Sequence, residues 1–245
     1  MDRERFLDIC KTTELQNGSL GIGTYSEKLL HAALKRYYCP DLSKHEIKVA
    51  GSVADIVNEN DIIEVQTGGM FPLKKKIPKF LDNGYRVTVV YPIAEKKWLI
   101  WIDPETGAMT DRRKSPKLGT DFLLLCEQIH LLPLLKTENL SFRTVKLEIE
   151  EYRIQNGWGN GGKRGSQRAD RLPVDIYSET DFSKKSDYYS FISPALADKF
   201  TVRDFSKESK LTRHRAYAAL RVLETLEVIE KCGKNGRENL YKRLF

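Results

Sequence analysis

Three polar residues, Asp55, Glu64 and Gln66, lie where two short apolar segments would otherwise be continuous. Side chains along a strand point alternately to its two faces, so Glu64 and Gln66 would share one face. Residues 58–61, Asn-Glu-Asn-Asp, favour a tight turn that would pair the two segments and place Asp55 beside Glu64. Two carboxylates and one amide are therefore expected to converge on one patch.

A pair of carboxylates can hold a hard divalent cation. Mg²⁺ prefers oxygen ligands and is commonly bound by one or two carboxylates together with water and substrate phosphate, and Mn²⁺ could substitute for it. Asp55 and Glu64 are therefore candidate metal ligands. The alternative is that both acids are solvent-facing side chains on a half-exposed sheet.

The sequence around this patch predicts an α/β domain with a mixed central sheet flanked by helices. A short helix is expected over 1–16 and a glycine-punctuated loop over 17–23. Further helices are predicted over 25–38 and 72–82, and strands over 44–50, 85–91 and 97–102. Glu27 lies at the start of the second helix, where a carboxylate also interacts favourably with the helix dipole.

The middle of the chain predicts a polar loop over 103–119, an apolar helix over 120–135 and an extended strand over 143–155. The glycine-rich run 156–168 lacks the Gly-Lys-Ser/Thr ending of a phosphate-binding loop and opens no helix, so it does not indicate a nucleotide site. We interpret it as a basic loop. Its cationic residues, Lys163, Arg164 and Arg168, are candidate DNA contacts.

Residues 188–245, hereafter the tail, carry a different pattern. A short amphipathic helix over 201–207 and a longer helix beginning at Thr212 precede two short strands, 228–232 and 239–244, around a glycine-containing turn. This order resembles the winged helix-turn-helix family. The resemblance implies that the second helix enters the major groove of DNA and that the hairpin contacts the backbone.

Carried over by position, this resemblance assigns a set of basic and polar side chains to DNA contact. They are Arg213, His214, Arg215, Tyr217 and Arg221 on the helix, and Lys234 and Arg237 on the hairpin. The net charge is +7, and residues 199–245 hold 12 Lys/Arg against 6 Asp/Glu, a surplus of +6. Phosphate neutralisation dominates such binding, so the charge favours DNA as partner. The alternative is a protein-contact role, which many winged helices have.

Residues 24–92 resemble the core of the PD-(D/E)XK nuclease superfamily, the restriction endonuclease-like fold that also includes Holliday junction resolvases. That family has an acid on the first helix, an aspartate ending the second strand, and Glu-x-Lys on the third. Glu27, Asp55 and Glu64 match these places, while Gln66 takes the place of the lysine.

The resemblance implies metal-assisted hydrolysis of DNA phosphodiester bonds. Asp55 and Glu64 would bind Mg²⁺, the Val65 backbone carbonyl would add a ligand, and Glu27 would complete the shell directly or through water. Gln66 would be the fourth catalytic residue, although it can only hydrogen-bond a water molecule and cannot supply positive charge or act as a base.

Three lysines that follow the second strand could offset the charge missing at Gln66. They are Lys74, Lys75 and Lys76, of which the first two are also candidate DNA contacts. The simpler interpretation is a solvated lysine face.

We therefore predict a nuclease-like domain over 1–135, a connecting strand and basic loop over 136–187, and a winged helix DNA-binding domain over 188–245. The predicted protein is a Mg²⁺-dependent DNA endonuclease, and a homodimer would supply two active sites for the two strands. The alternative is a DNA-binding regulator or assembly protein on a nuclease fold without activity; RNA processing is a third possibility.

The remaining composition indicates the cellular setting. The four cysteines show neither a disulfide framework nor zinc-ligand spacing, which is typical of reduced thiols in the cytosol. The first ten residues lack the apolar core of a signal peptide, and the most apolar run, 122–135, is interrupted by polar residues. We expect a cytoplasmic protein with no membrane partner.

Overall fold

The computed structural model describes the backbone at residues 1–20, 28–158 and 164–245, and the side chains at 1–13, 28–157 and 165–245. Glu27 and Lys163 therefore lie outside the described residues, as does the side chain of Arg164. No helix in the described part of the chain is long and apolar enough to cross a membrane.

In the described part of the chain, the first hundred residues form three helices and four strands. The helices are α1 (Arg3–Leu20), α2 (Leu29–Tyr38) and α3 (Leu73–Asp82), and the strands are β1 (His45–Val49), β2 (Ser52–Asn58), β3 (Asp61–Val65) and β4 (Arg86–Ile102). A short 3-10 turn, Leu42–Lys44, precedes β1. The predicted α/β class is confirmed by this order.

The middle of the chain adds three strands and one helix. They are β5 (Arg113–Lys114), α4 (Phe122–Gln128), β6 (Leu140–Trp158) and β7 (Arg164–Phe182), with a 3-10 segment, Ile129–Leu134, after α4. The described strands of the main sheet run in the order β1-β2-β3-β4-β6-β7, and β5 pairs with β4. β2 pairs with β3 antiparallel and β3 pairs with β4 parallel, so the predicted mixed sheet is also confirmed.

Contacts divide the chain into two compact units. One consists of residues 1–47, 92–120 and 145–179, and the other of residues 48–91, 121–144 and 180–245. Both units are assembled from separate segments, because long strands such as β4 and β6 contribute residues to each. This grouping differs from the consecutive segments predicted from the sequence, 1–135, 136–187 and 188–245.

In the first unit, α1 packs against the end of α2. The buried ring of Phe6 meets the ring of Tyr37 edge to face, with centroids 5.3 Å apart. Arg5 Nη2 donates to the carbonyls of Arg36 at 3.0 Å and Tyr37 at 2.6 Å. A guanidinium at this position satisfies carbonyls that the last turn of a helix leaves without partners.

The strands of this unit share a buried carboxylate. Glu148 on β6 accepts hydrogen bonds from Trp98 Nε1 at 2.7 Å, from Lys96 Nζ at 2.9 Å and from the Tyr177 hydroxyl on β7. Burial alone would raise the pKa of Glu148, but these donors hold it below its usual value. Since its acceptor sites are satisfied by strand residues, Glu148 is part of the sheet's internal bonding.

In the second unit, fully buried apolar side chains come from the helix and strands near the two predicted acids. Ile77 and Phe80 on α3, Ala54 on β2, Ile62 on β3 and Val89 on β4 each have no exposed surface. This apolar core fixes α3 and the β2–β3 pair as supports for polar side chains at their margins.

The tail belongs to the second unit. A 3-10 segment (Lys185–Phe191) overlaps its start. The tail contains β8 (Lys199–Thr201), α5 (Val202–Ser209), α6 (Arg213–Thr225), β9 (Ile229–Asn235) and β10 (Glu238–Arg243). The three strands form a second sheet in the order β8-β10-β9. The helices and strands predicted for the tail are thus confirmed to within about three residues at their ends.

Several predicted elements were wrong in extent. α1 continues to Leu20, into the predicted loop, and the strands predicted over 85–91 and 97–102 are one strand, because Pro92 removes a single donor without ending the pairing. The helix predicted over 120–135 ends at Gln128, and non-helical backbone at Leu131 follows. Arg168 lies in β7 rather than in a loop, because cross-strand pairing outweighs the weak strand preference of a glycine-rich segment.

Candidate functional site

Asp55 and Glu64 lie side by side just beyond the last backbone pair of β2 and β3, where hydrogen bonds to their side chains begin. The regular pairing extends to Ile56 opposite Ile63. Beyond it, the Val65 amide donates to Oδ2 of Asp55 at 2.8 Å, and the Asp55 amide donates to Oε1 of Glu64 at 3.2 Å. These reciprocal bonds hold the two carboxyl groups together, as the sequence predicts, although β2 continues past Asp55 instead of ending there.

The Glu64 carboxyl lies in a strongly desolvated position. Only 2% of Glu64 is exposed, whereas Asp55 is half-buried. Burial, and then the negative charge of Asp55, raise the pKa of Glu64 to about 7, against the opposing effect of Lys76. Two acids with mutually unfavourable charge form an environment that a bound cation would stabilise.

Helix α3 supplies a cation to this pair. Lys76 Nζ donates to Oε2 of Glu64 at 2.6 Å, and the Lys76 side chain is 22% exposed. Its ammonium also lies 5.9 Å from the centroid of the Phe80 ring. By contrast, Lys74 and Lys75 are exposed on the same helix. Of the three lysines considered from the sequence, only Lys76 is brought to the carboxylates.

Gln66 lies directly after β3, and its hydrogen bonds are to backbone carbonyls. Its backbone amide donates to the carbonyl of Val90 at 2.8 Å. Its side-chain Nε2 donates to the carbonyl of Gly69, also at 2.8 Å. The Gln66 side-chain amide therefore stabilises the loop that leads to α3.

Asp55 and Glu64 offer carboxylate oxygens, the ligand type that a hard divalent cation prefers. Val65, whose backbone carbonyl was a predicted ligand, lies between Glu64 and Gln66 in the sequence. Within the described residues no group of three or more His, Cys, Asp and Glu side chains could hold a metal ion. Glu27, the third predicted acid, lies outside those residues, so a site built from the described part would rely on water and phosphate for its other ligands.

Glu127 on α4 contacts the same region and was not singled out from the sequence. Its Oε2 accepts a hydrogen bond from the Met70 amide at 3.1 Å and lies 3.3 Å from where a Cβ on Gly69 would stand. A larger residue at Gly69 would therefore crowd this carboxylate. The signal in the sequence was an acid interrupting an otherwise apolar helix.

Helix α6 presents a polar face to solvent. Arg213, Tyr217 and Arg221 follow at intervals of four residues along one side, with His214 exposed beside them, and Tyr217 is 45% exposed. Both arginines form ion pairs, Arg213 with Glu238 on β10 and Arg221 with Glu224 at 3.1 Å. These pairs reduce the net positive charge of the face.

Arg215 is separated from that face. At 3.6 residues per turn it lies roughly 160° around the helix axis from Tyr217. Its backbone carbonyl accepts a hydrogen bond from Cys126 Sγ of α4 at 3.6 Å, and its charge opposes the effect of burial, which raises the pKa of that thiol to about 11. The Arg215 backbone therefore lies on the side of α6 near α4, while its side chain is exposed.

The β9–β10 hairpin places its predicted contacts at the surface. Asn235 pairs with Glu238 around a two-residue turn, in which Gly236 has φ +58°. Lys234 and Arg237 are exposed at this tip. Of the predicted basic loop, Arg168 is exposed on β7, in the other unit.

Residues 28–183 match a protein family described as a domain of unknown function (DUF8091). An uncharacterized protein from Treponema pallidum (strain Nichols) is 30% identical over 223 residues, which cover 91% of this chain and 87% of the relative. No solved structure matches the chain. The family segment includes Asp55, Glu64 and Lys76 and ends before the tail. Because the match covers more than half of the sequence, the chain belongs to the DUF8091 family.

Proposed function

We propose that the protein is a Mg²⁺-dependent endodeoxyribonuclease of the PD-(D/E)XK type, with DNA affinity supplied by a winged helix in the tail. The observation that carries the proposal is the Glu64 carboxylate, which is buried beside Asp55 and paired with Lys76 at 2.6 Å. Two acids and a lysine are the functional groups of the PD-(D/E)XK motif. Here the lysine comes from a helix instead of the position held by Gln66.

In this proposal Asp55 and Glu64 hold the cation, assisted by the Val65 carbonyl, with Glu27 as a further ligand. When bound, Mg²⁺ polarises a phosphate oxygen and lowers the pKa of a coordinated water molecule. The reciprocal amide bonds hold the two carboxylates beside each other. Lys76, whose Nζ donates to Oε2 of Glu64, would also donate a hydrogen bond to the attacking water or the phosphate.

The tail supports DNA binding through its order of elements and its charge. β8, α5, α6 and the β9–β10 hairpin follow one another as in a winged helix, with the exposed face of α6 as the element that would enter the major groove. Exposed Lys234 and Arg237 at the hairpin tip would contact phosphates. Arg215 is not part of that face and would contribute little.

Cleavage of a panel of linear, circular, branched and single-stranded DNA with Mg²⁺, Mn²⁺ or EDTA tests the proposal. We expect metal-dependent cleavage of at least one form, lost in Asp55→Asn and Glu64→Gln while DNA binding is retained. Glu59→Gln, which changes an exposed acid in the β2–β3 turn, is the matched control and should cleave normally. If every DNA form stays intact with both metals, the nuclease proposal fails.

A second candidate is a DNA-binding regulator on an inactive nuclease fold. The observation that favours it is that both Glu64 oxygens already accept hydrogen bonds, one from the Asp55 amide and one from Lys76. Calorimetric titration with Mn²⁺ separates the two candidates. Metal binding that Asp55→Asn abolishes supports the nuclease, whereas absence of binding together with metal-independent, sequence-specific DNA binding supports the regulator.

A further inference from the structure

Two hydrogen bonds anchor the loop that joins β3 to α3 at the two residues directly before Phe71. Gln66 Nε2 bonds to the carbonyl of Gly69 at 2.8 Å, and the Met70 amide bonds to Oε2 of Glu127 at 3.1 Å. The Met70 side chain is fully buried, while the next residue, Phe71, is 64% exposed. Phe71 is therefore exposed from a loop that hydrogen bonds hold in place.

Phe71 differs from the other phenylalanines of the chain. All ten lie in the described residues, and only Phe71 and Phe245 are exposed. Phe245 is stacked on the Tyr189 ring, with centroids 4.0 Å apart and an interplanar angle of 5°. Phe71 instead meets His130 edge to face, at 5.7 Å and 89°, which keeps its ring oriented while leaving most of its surface open to solvent.

Two cationic side chains follow this ring closely in the sequence, and the Glu127 carboxylate bonds to the Met70 amide before it. Lys74 and Lys75, in the first turn of α3, are both exposed, as is Pro72. An apolar protein partner would require a larger contiguous apolar patch. A single exposed ring beside ammonium groups suits a nucleotide, whose base stacks on the ring while its phosphates pair with the lysines.

The same short helix connects this ring to the candidate site. Within a few residues, α3 presents Lys74 and Lys75 to solvent and Lys76 to Glu64. Phe71 lies two residues before α3 begins, and Lys76 is the fourth residue of that helix. The exposed ring and the lysine that pairs with Glu64 are therefore carried by one short stretch of the chain.

We propose that Phe71 stacks on an unpaired base of DNA, so that the substrate class is single-stranded or locally unpaired DNA. Bases within a continuous duplex offer only their edges to a protein, whereas an unpaired base exposes the face that an aromatic ring can contact. The inference rests on the proposed function for the reaction that follows, but the binding step requires no metal.

Fluorescence anisotropy in EDTA tests the binding step with labelled single-stranded DNA and with a continuous duplex of the same sequence. Phe71→Ala should weaken single-strand binding about tenfold, equivalent to about 1.4 kcal/mol, and leave duplex binding unchanged. Phe71→Tyr should bind like the wild type, while Phe71→Leu should resemble the alanine variant because it keeps apolar volume without a π face. Met109→Ala, at another exposed apolar residue, is the control.

Stacking itself has a direct signal. A single strand containing 2-aminopurine should lose emission on binding to the wild type and to Phe71→Tyr, but not to Phe71→Leu. Equal single-strand affinity of Phe71→Ala and wild type, or quenching that persists in Phe71→Leu, would overturn the inference. If the wild-type protein binds single strands through Phe71 but cleaves no DNA, only the nuclease proposal is refuted. The stacking inference and the nuclease proposal can therefore fail separately.

Discussion

The ammonium of Lys76 lies 2.6 Å from Oε2 of Glu64, a carboxylate that the fold buries almost completely beside a second acid. The cation comes from α3, whereas Gln66, which follows β3 at the position where the PD-(D/E)XK pattern has a lysine, is uncharged. The relationship makes Lys76, rather than Gln66, the residue on which the proposed chemistry depends.

Replacing Lys76 should reduce catalysis more than binding. In Lys76→Met the alkyl stem remains but the charge is lost, and we expect kcat for DNA cleavage to fall about 100-fold with a small change in KM. Lys75→Met, which removes an exposed lysine one position away, is the matched control and should mainly raise KM. Wild-type kcat in Lys76→Met would show that Lys76 is only a counter-ion.

The raised pKa of Glu64 predicts a pH dependence for the metal-free protein. Because the native pKa is about 7 and the ordinary value is 4.5, the native state keeps a proton that the unfolded chain loses. The contribution of Glu64 to the free energy of unfolding is therefore highest below pH 4.5. It decreases as the pH rises to about 7, by up to roughly 3 kcal/mol. Urea unfolding in chelator at pH 5 and 8 should show a smaller decline for Glu64→Gln than for wild type.

Glu59→Gln provides the comparison, since it changes an exposed glutamate of the neighbouring turn. Its unfolding free energy should follow the wild type at both pH values. An identical decline in all three proteins would contradict the assignment of the pH dependence to Glu64.

The two sides of α6 should differ in their effect on duplex binding. Arg221→Ala removes a cation from the face that carries Tyr217, so it should weaken binding severalfold and reduce the slope of log affinity against log salt by about one. Arg215→Ala, on the side toward α4, should leave that slope almost unchanged. Equal effects of the two substitutions would show that α6 does not use the predicted face.

The two helices of the tail begin with different threonine caps. Thr201 Oγ1 accepts from the Asp204 amide at 3.3 Å and Asp204 bonds back to the Thr201 amide at 2.8 Å, whereas Thr212 makes no side-chain capping bond. Thr201→Ala should therefore lower the free energy of unfolding by about 1 kcal/mol. Thr212→Ala should have a smaller effect by the same thermal or urea measurement. A larger decrease in the free energy of unfolding for Thr212→Ala than for Thr201→Ala would contradict this prediction.

The pairing of Asp55 with Glu64 could be predicted because local rules determine it. Alternation of polar and apolar residues fixes which side chains share a face, and the turn over 58–61 fixes the register. The tail elements could be predicted in the same way, because helical periodicity and a glycine turn mark them in the sequence, although Thr212 makes no side-chain capping bond. In these segments local preference and tertiary structure agree.

Other features depend on how distant segments pack. Lys74, Lys75 and Lys76 are chemically equivalent in the sequence, and only the docking of α3 decides which one meets Glu64. The length of β7 reflects pairing with β6 rather than the preferences of its glycine-rich beginning. Likewise, the two units combine segments far apart in the chain, so no change in composition marks their limits.

The ion pair between Lys76 and Glu64 also bears on how the protein folds. A site made only of carboxylates would leave repelling charges in the interior until a metal arrived, and its folding would depend on metal supply. Here the chain carries its own counter-ion. The polypeptide is therefore expected to reach its native state during synthesis in metal-poor surroundings and to tolerate chelators, with Mg²⁺ required for the reaction and not for assembly of the fold.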